Sequence, residues 1–125
     1  MSLLLDTNVV SWWFEGHSRL PPALLSRIDG ADEAIIISPV VTWEIEIKRA
    51  IGKLKAPGDL EEQVAASHFI ALPITLRHAT VAGRLPLHHK DPFDRLLIAQ
   101  ARCESLTLVT ADERFQAYDI DVLMA

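Results

Sequence analysis

The sequence predicts an α/β protein, a three-layer α/β/α sandwich around a central, mostly parallel sheet of about five strands. Two observations support this class. Five short apolar runs alternate with longer segments of helical spacing, and proline or glycine residues stand where several of those segments begin or stop. The chain has 125 residues, the size of one compact domain, so we expect a single domain over residues 1–125.

The strand candidates are too short to form helices, and Ile and Val dominate several of them. They span residues 2–5, 34–38, 69–72, 106–109 and 120–124. Strands that alternate with helices usually pair in parallel and carry helices on both faces of the sheet. The alternation therefore predicts the layered arrangement rather than an all-helical or all-strand fold.

The helix candidates lie between these strands, at residues 7–15, 21–29, 39–54, 59–68, 75–85 and 92–104. Pro39 and Pro92 stand at helix starts, where a missing N–H costs nothing, and Gly52 marks a place where a helix frays or stops. Two apolar stripes at helical spacing are predicted to face the core. These are Val40, Trp43, Ile47, Ala50, Ile51 and Leu54 in the third helix, and Leu97, Ile98 and Ala101 in the last.

The composition restricts the classes of function. A single cysteine, Cys103, excludes a disulfide framework and a cysteine-rich zinc site, and it favours a reducing cytoplasm. With no basic-then-apolar leader and no apolar run near the ~18 residues that span a bilayer, we expect a soluble, cytoplasmic protein without membrane contact. The net charge of −5 argues against a nucleic-acid partner unless the excess acid lies at a metal site.

Four acidic residues follow the predicted strands in a regular way. Asp6 comes directly after the first strand, and Glu44 lies early in the helix after the second. Asp94 lies near the start of the helix that begins at Pro92, and Asp112 follows the fourth strand. Ligands of open α/β sheets bind beyond the carboxyl ends of the strands. If the strands are parallel, these four carboxylates share one edge of the sheet.

Carboxylates gathered in this way repel one another and need a cation to stay ionised. Oxygen ligands suit magnesium, or alternatively manganese, better than zinc. The chemistry that best matches such a site is hydrolysis of a phosphodiester by metal-activated water, which requires no serine, cysteine or histidine nucleophile.

Each acid also has a structural interpretation. Asp6 and Asp112 are suited to cap the helices that follow them, and the helix dipole favours any acid at Asp94. Asp91 directly precedes Pro92, the arrangement of an N-cap before a proline at the first helical position, so we interpret it as a cap.

Two further ambiguities lie beside these acids. Periodicity does not distinguish Glu44 from Glu46, since the two flank the apolar stripe on opposite sides, and Glu44 also has Lys48 one turn later as an ordinary ion-pair partner. His88 and His89 precede the Asp91 cap, a position typical of surface-loop residues, so we place them outside the site.

Trp12, Trp13 and Phe14 are three consecutive large aromatic residues on one predicted helix. They cannot all face the same core, so at least one is expected to be exposed. Exposed aromatic patches commonly mark protein interfaces, which makes these residues candidate interface residues.

Other acid-bearing α/β proteins fit less well. A phosphoacceptor receiver domain needs an acidic pair after the first strand, an aspartate after the third and a lysine after the fifth, and the sequence lacks all three. A phosphatase of the haloacid dehalogenase type needs a second aspartate two residues after the first, where this chain has Asn8. A non-catalytic interaction module with the same fold remains as the alternative.

Four blocks of the sequence resemble the PIN-domain nucleases, and more narrowly the VapC-type toxins of bacterial toxin–antitoxin pairs. These blocks are LLLDTNVV at 3–10, SPVVTWEIEIKRAIGKL at 38–54, HHKDPFDRLLIAQA at 88–101 and TLVTADERF at 107–115. They occur in the family's order and cover nearly the whole chain. The resemblance implies a PIN-like fold and a ribonuclease that uses Mg²⁺ or Mn²⁺. It also implies a cognate antitoxin and a homodimer.

The resemblance assigns the catalytic and metal-binding acids to Asp6, Glu44, Asp94 and Asp112, and it thereby prefers Glu44 over Glu46. We further expect Asn8 and Thr110 to orient the carboxylates from a second layer. The basic residues near the site are candidates for contact with the RNA backbone. These are Lys48, Arg49, Lys53 and Arg95.

Overall fold

The computed structural model describes residues 2–16, 19–30, 32–56 and 58–125. Its sheet has the strand order β3-β2-β1-β4-β5, and every neighbouring pair is parallel. The strands are β1 (Ser2–Leu5), β2 (Ala34–Ile37), β3 (Ile70–Ala71), β4 (Thr107–Thr110) and β5 (Asp121–Met124). The predicted α/β class and the five-stranded parallel sheet are confirmed, with strand bounds within two residues of those expected.

Six α-helices connect these strands within the described ranges. They are α1 (Thr7–Phe14), α2 (Pro22–Asp29), α3 (Pro39–Ala50), α4 (Leu60–Ala66), α5 (Leu76–Arg84) and α6 (Pro92–Glu104). A short 3-10 helix, Glu113–Ala117, connects β4 to β5, and it is the helix that Asp112 was expected to be suited to cap. None of the helices in the described residues is long and apolar enough to cross a membrane.

The third helix ends four residues earlier than predicted. Gly52 adopts a φ of +76°, and its N–H donates to the carbonyl of Arg49 at 3.1 Å. The N–H of Lys53 donates to the carbonyl of Lys48 at 2.8 Å, which completes a Schellman motif. The helix therefore stops at Ala50 because the glycine provides a left-handed residue that satisfies its last carbonyls.

The core lies on both faces of the central strands. Leu3, Leu4 and Leu5 of β1 are all fully buried, as expected for a parallel strand with helices on each side. The stripe predicted on the last helix is also confirmed, because Leu97, Ile98 and Ala101 are buried.

The stripe predicted on the third helix is wrong beyond its first residue, Val40. Trp43 is 63% exposed, Ile51 is 61% exposed and Ile47 is 37% exposed. Val40 is the one stripe residue that is buried, and the other buried apolar residues of α3 are Val41 and Ile45, which do not belong to the predicted stripe. The orientation of α3 turns Glu44 toward the acidic edge of the sheet and leaves an apolar stripe in solvent. Ala50 is exposed as well, and Leu54 is partly buried.

One arginine ties the loop before α6 to the end of α5. The guanidinium of Arg95 donates to four backbone carbonyls at 2.9 to 3.1 Å. The acceptors are Ala82, Leu85, Pro86 and His89. This side chain therefore fixes the segment that leads into the helix on which Asp94 lies.

We expect Arg95→Met to lower the free energy of unfolding by about 2 kcal/mol, since several charge-assisted hydrogen bonds are lost together. Denaturant unfolding of the variant measures this change. Arg102→Met, at an exposed position of the same helix, is the control and is expected to stay near the native stability. Equal stabilities for the two variants would contradict the structural role of Arg95.

Candidate metal centre

The candidate site lies at the carboxyl ends of β1 and β4, the two neighbouring strands at the middle of the sheet. From β1 the chain continues to β2 on one side, whereas from β4 it continues to β5 on the other. Such a reversal opens a crevice between the connections, which is where ligands of open α/β sheets bind. Asp6 follows β1 directly, and Asp112 follows β4.

Asp6 both caps a helix and faces the site. One carboxylate oxygen accepts the backbone N–H of Val9 at 2.9 Å, so Asp6 is the N-cap of α1. The other accepts the hydroxyl of Thr110. The residue is only 3% exposed. Burial raises its pKa to about 6, and repulsion from Asp112 and Glu44 adds to this against the opposing hydrogen bonds.

Glu44 projects from α3 to the same edge of the sheet. Its Oε1 accepts the hydroxyl of Thr7 at 2.5 Å, next in sequence to Asp6. Its Oε2 lies 3.2 Å from Nζ of Lys48, in the ion pair that helical spacing allows. Glu46 instead has a half-exposed side chain and pairs with Arg49. The structure therefore brings Glu44 to the other acids and leaves Glu46 outside.

Asp94 lies in the first turn of α6. Asp91 is the N-cap of this helix and accepts the backbone N–H groups of Phe93 and Asp94 at 2.8 and 3.2 Å, as a capping residue does. Burial raises the pKa of Asp94 to about 7, and repulsion from Asp91, Glu44, Asp6 and Asp112 contributes further. The carboxyl of Asp94 thus lies within electrostatic range of the other three predicted acids.

Asp112 has different surroundings. It caps the 3-10 helix by accepting the backbone N–H of Arg114 at 2.9 Å. The guanidinium of Arg114 also donates to both of its carboxylate oxygens, at 2.7 to 3.1 Å. These hydrogen bonds hold the pKa of Asp112 below its usual value. Asp112 therefore carries its charge at a pH where Asp6 and Asp94 still hold protons.

His89, which we placed outside the site from the sequence, lies in it. The residue is 3% exposed, and its Nε2 lies 2.8 Å from Oδ2 of Asp94 and 3.4 Å from Oδ2 of Asp112. One donor atom from each of these three residues falls within 4.8 Å of the other two. Two adjacent histidines before a helix cap carry no pattern that distinguishes a buried one from an exposed one, whereas His88 is exposed as expected.

The two residues predicted to orient the carboxylates differ in position. Thr110 is fully buried, donates to Asp6 and accepts the backbone N–H of Asp112 at 3.0 Å, so it links two of the acids. Asn8 is exposed and makes no hydrogen bond to the acids in the described part of the chain. The hydroxyl of Thr7 donates to Glu44, so Thr7 orients a carboxylate as we had expected Asn8 to do.

The basic residues proposed for RNA contact divide into two kinds. Arg95 is engaged by backbone carbonyls, and Arg49 likewise donates to the carbonyls of Ala56 and Gly58 at 3.2 and 2.9 Å. Lys48 pairs with Glu44 at the site, and Lys53 is exposed. The lysines are thus the more accessible cations of this group.

The expectation that one of the three consecutive aromatic residues is exposed is wrong. Phe14 is buried, whereas Trp12 and Trp13 are partly buried and pack against the core. The rings of Trp13 and Phe69 lie 4.8 Å apart. Among the described residues, the exposed tryptophan is Trp43 instead.

The residues at this edge fit a divalent cation. Burial and mutual repulsion raise the pKa of both Asp6 and Asp94, and a cation among them would offset that cost. The donors are mostly carboxylate oxygens, the ligands that Mg²⁺ and Mn²⁺ prefer. Asp6, Glu44, Asp94 and Asp112 are the residues that would hold such an ion.

Over nearly its whole length, the chain is similar to a ribonuclease and to proteins in toxin–antitoxin complexes. Ribonuclease VapC22 of Mycobacterium tuberculosis is 32% identical over 121 residues, which are 94% of this chain and 92% of that protein. VapBC2 from Rickettsia felis, bound to a promoter DNA fragment, has a similar structure, with a TM-score of 0.74 at 19% identity over 99% of this chain and 98% of that one.

A toxin–antitoxin complex from Klebsiella pneumoniae gives a TM-score of 0.69 at 20% identity, over 98% of this chain and 96% of that one. At such identities these structures show a shared fold. The PIN domain model matches residues 3–121. The chain therefore belongs to the PIN-domain family.

Proposed function

We propose that this chain is an endoribonuclease that depends on Mg²⁺ or Mn²⁺ and acts in the cytoplasm as the toxin of a toxin–antitoxin pair. The observation that carries the proposal is the cluster of acids at the crevice between β1 and β4, where the buried carboxyl of Asp6 and the partly buried carboxyl of Asp94 have pKa values of about 6 and about 7. The similarity to a ribonuclease, VapC22, supports RNA as the substrate.

A bound Mg²⁺ or Mn²⁺ would lower the pKa of a water molecule attached to it and would neutralise charge on the attacked phosphate. The chain's own residues prepare the site for that ion. Thr110 and the N–H of Val9 fix the two oxygens of Asp6, and Thr7 fixes one oxygen of Glu44. Because these hydrogen bonds fix the orientation of the carboxylates, the carboxylates need little reorganisation to hold a cation.

For contact with RNA we propose Lys48 and Lys53. Lys48 lies at the site through its pairing with Glu44, and Lys53 is exposed in the turn that ends α3. Both would meet the phosphate backbone as point charges and contribute affinity without base preference.

Metal dependence is the direct test of the proposed activity. We expect purified protein to cleave a mixed RNA pool after addition of Mg²⁺ or Mn²⁺, and to stop when a chelator removes the ion. Absence of cleavage with either ion on every RNA pool would overturn the ribonuclease proposal. That result would favour the alternative, in which the chain is a non-catalytic interaction module with the same fold.

The antitoxin is proposed to bind an apolar surface beside the acids. We call the exposed residues Trp43, Ile47 and Ile51 the α3 apolar face. A groove of about 570 Å³, lined mainly by apolar atoms, begins at Trp43 and runs between α3, α4 and β3. The ring of Trp43 contacts that of Phe93 at 5.2 Å, next in sequence to Asp94. A protein segment held on this surface would therefore reach the acidic site.

We expect Trp43→Ser to abolish relief of growth arrest by the cognate antitoxin, since truncating a central aromatic anchor costs 2 kcal/mol or more, about a 30-fold loss of affinity. Growth is measured with both chains co-expressed. Leu76→Ser, at the similarly exposed Leu76 on α5, is the matched control and should retain relief. Full relief of the Trp43 variant would exclude this surface as the docking site.

We also propose a homodimer. Sedimentation equilibrium of the purified chain tests this directly, because a dimer has twice the 13.9 kDa mass of one chain. A mass of one chain at micromolar concentration would contradict it.

A further inference from the structure

The loop that leads into α6 holds His89 in one orientation. Its backbone N–H donates to the hydroxyl of Tyr118 at 2.8 Å, and that hydroxyl in turn donates to the carbonyl of Pro86 at 2.7 Å. The carbonyl of His89 accepts a hydrogen bond from Arg95 at 3.1 Å. The ring meets the edge of Phe115 at 5.5 Å between centroids. The histidine is therefore fixed at its backbone and at its ring.

This arrangement brings one ring nitrogen to the acids. Nε2 lies 2.8 Å from Oδ2 of Asp94, but the carboxylate lies off the line that a ring N–H needs. Nε2 thus has no hydrogen-bond partner among the described residues, although it is buried. A buried polar nitrogen without a partner is uncommon and costly, so Nε2 either donates to a slightly turned carboxylate or binds a cation.

The other ring nitrogen distinguishes these two roles. Nδ1 accepts the backbone N–H of Asp91 at 3.3 Å, so it carries no proton there. A neutral ring then has its proton on Nε2, the atom that faces the carboxylates of Asp94 and Asp112. A metal ligand at Nε2 would need the opposite tautomer, with the proton on Nδ1 directed at the N–H of Asp91. The hydrogen bond that Nδ1 accepts therefore favours donation from Nε2.

We propose that His89 is a positioning residue that donates its Nε2–H to the carboxylate of Asp94. This inference rests on the proposed metal-dependent function. The Asp94 side chain accepts no other hydrogen bond in the described residues, whereas Asp6, Glu44 and Asp112 are each held by at least one donor. His89 completes this set. It engages one oxygen of Asp94 and leaves the other available to a cation, in the manner of groups that orient metal ligands.

The tautomer is measured without any activity assay. In protein labelled with ¹⁵N-histidine, NMR of the metal-free form should show the His89 proton on Nε2, and addition of diamagnetic Mg²⁺ should leave it there. A proton on Nδ1 in the metal-free form, or loss of the Nε2 proton when Mg²⁺ is added, would overturn the proposal. The latter result would identify His89 as a nitrogen ligand.

Variants test the consequence for the site. His89→Leu should weaken Mn²⁺ binding about 10-fold, measured by electron paramagnetic resonance of the free ion, and should lower kcat more than it changes KM for RNA. His89→Gln, which presents an amide N–H near the Nε2 position, should recover most of the Mn²⁺ affinity. His88→Gln is the control at the neighbouring, exposed histidine and should bind Mn²⁺ as the native chain does.

These outcomes separate the inference from the proposed function. If His89→Leu binds Mn²⁺ with native affinity, or if His89→Gln binds as weakly as His89→Leu, donation from His89 does not position the site. If instead the native chain binds Mn²⁺ and has the Nε2 tautomer but cleaves no RNA, the inference stands and the proposed ribonuclease activity fails.

Discussion

Asp94→Asn is expected to abolish RNA cleavage and, at the same time, to stabilise the metal-free protein at pH 8. The first effect follows from loss of a charged metal ligand. Removing a residue that only orients a metal ligand can lower activity by up to about 100-fold, so removing a ligand itself should lower the cleavage rate by at least that factor. The second follows from burial, which raises the pKa of Asp94 to about 7. Removing a charge that the folded state disfavours should raise the free energy of unfolding by up to about 4 kcal/mol.

Both effects are measured on one sample. Cleavage rate is followed with added Mg²⁺, and denaturant unfolding is followed at pH 8 in the presence of a chelator. Asp29→Asn is the matched control, because Asp29 is exposed at the end of α2 and should change neither quantity. A metal-free Asp94 variant that is less stable than the native chain would contradict the burial and repulsion that we assign to this carboxyl.

The metal-free protein should lose stability as the pH rises from 5 to 8. The folded-state pKa values of Asp6 and Asp94 are raised from 3.8 to about 6 and about 7. Below pH 3.8 the two carboxyls are mostly protonated in both the folded and the unfolded protein. As the pH rises above 3.8, the unfolded protein releases these protons first, so the free energy of unfolding falls until the pH passes the folded-state pKa values. The lowered pKa of Asp112 acts at more acidic pH and does not offset this loss.

A divalent cation should reverse the effect. An ion that binds the folded state stabilises it by mass action, and it competes with protons for Asp6 and Asp94. Thermal unfolding with and without Mn²⁺ should therefore show a larger rise in Tm at pH 8 than at pH 5. Equal shifts at the two pH values would show that the ion binds somewhere other than these two carboxyls.

The sequence was sufficient to predict the parallel pairing of about five strands, though not their order, and to predict that the acids lie at one edge of the sheet. Alternating short strands and helices imply parallel pairing, and parallel strands bring residues that follow them to one edge. Asp6 and Asp112 reach the crevice for this reason alone. Their role in catalysis stays a prediction.

Features that depend on which way a side chain points were harder to predict. Periodicity shows that Trp43, Ile47 and Ile51 share a side of α3, but it does not show whether that side faces the sheet or a partner. Here the rotation of α3 that brings Glu44 to the site leaves the α3 apolar face exposed to solvent. The opposite error occurred at Trp12 and Trp13, which pack against the core.

Contacts that depend on how a loop folds could not be predicted from the sequence either. His89 enters the site because Tyr118, 29 residues later, binds its backbone N–H. Arg95 is next to Asp94 in sequence, and this suggested a role at RNA, yet its guanidinium is directed to the carbonyls of the preceding loop. Neither contact follows from local spacing, since both depend on how the loop folds over α6.

Cleavage of RNA by the native chain and by Asp6→Asn, side by side with Mg²⁺ or Mn²⁺, tests the central claim most directly. Asn retains the ability of residue 6 to cap α1, so the variant should fold while losing the charge at the crevice. We predict metal-dependent cleavage by the native chain and by the Asp29→Asn control, and a loss of at least about 100-fold in the Asp6 variant. Cleavage at equal rates by the native chain and the Asp6 variant, or cleavage by the native chain that persists after chelation, would contradict a metal centre built on these acids.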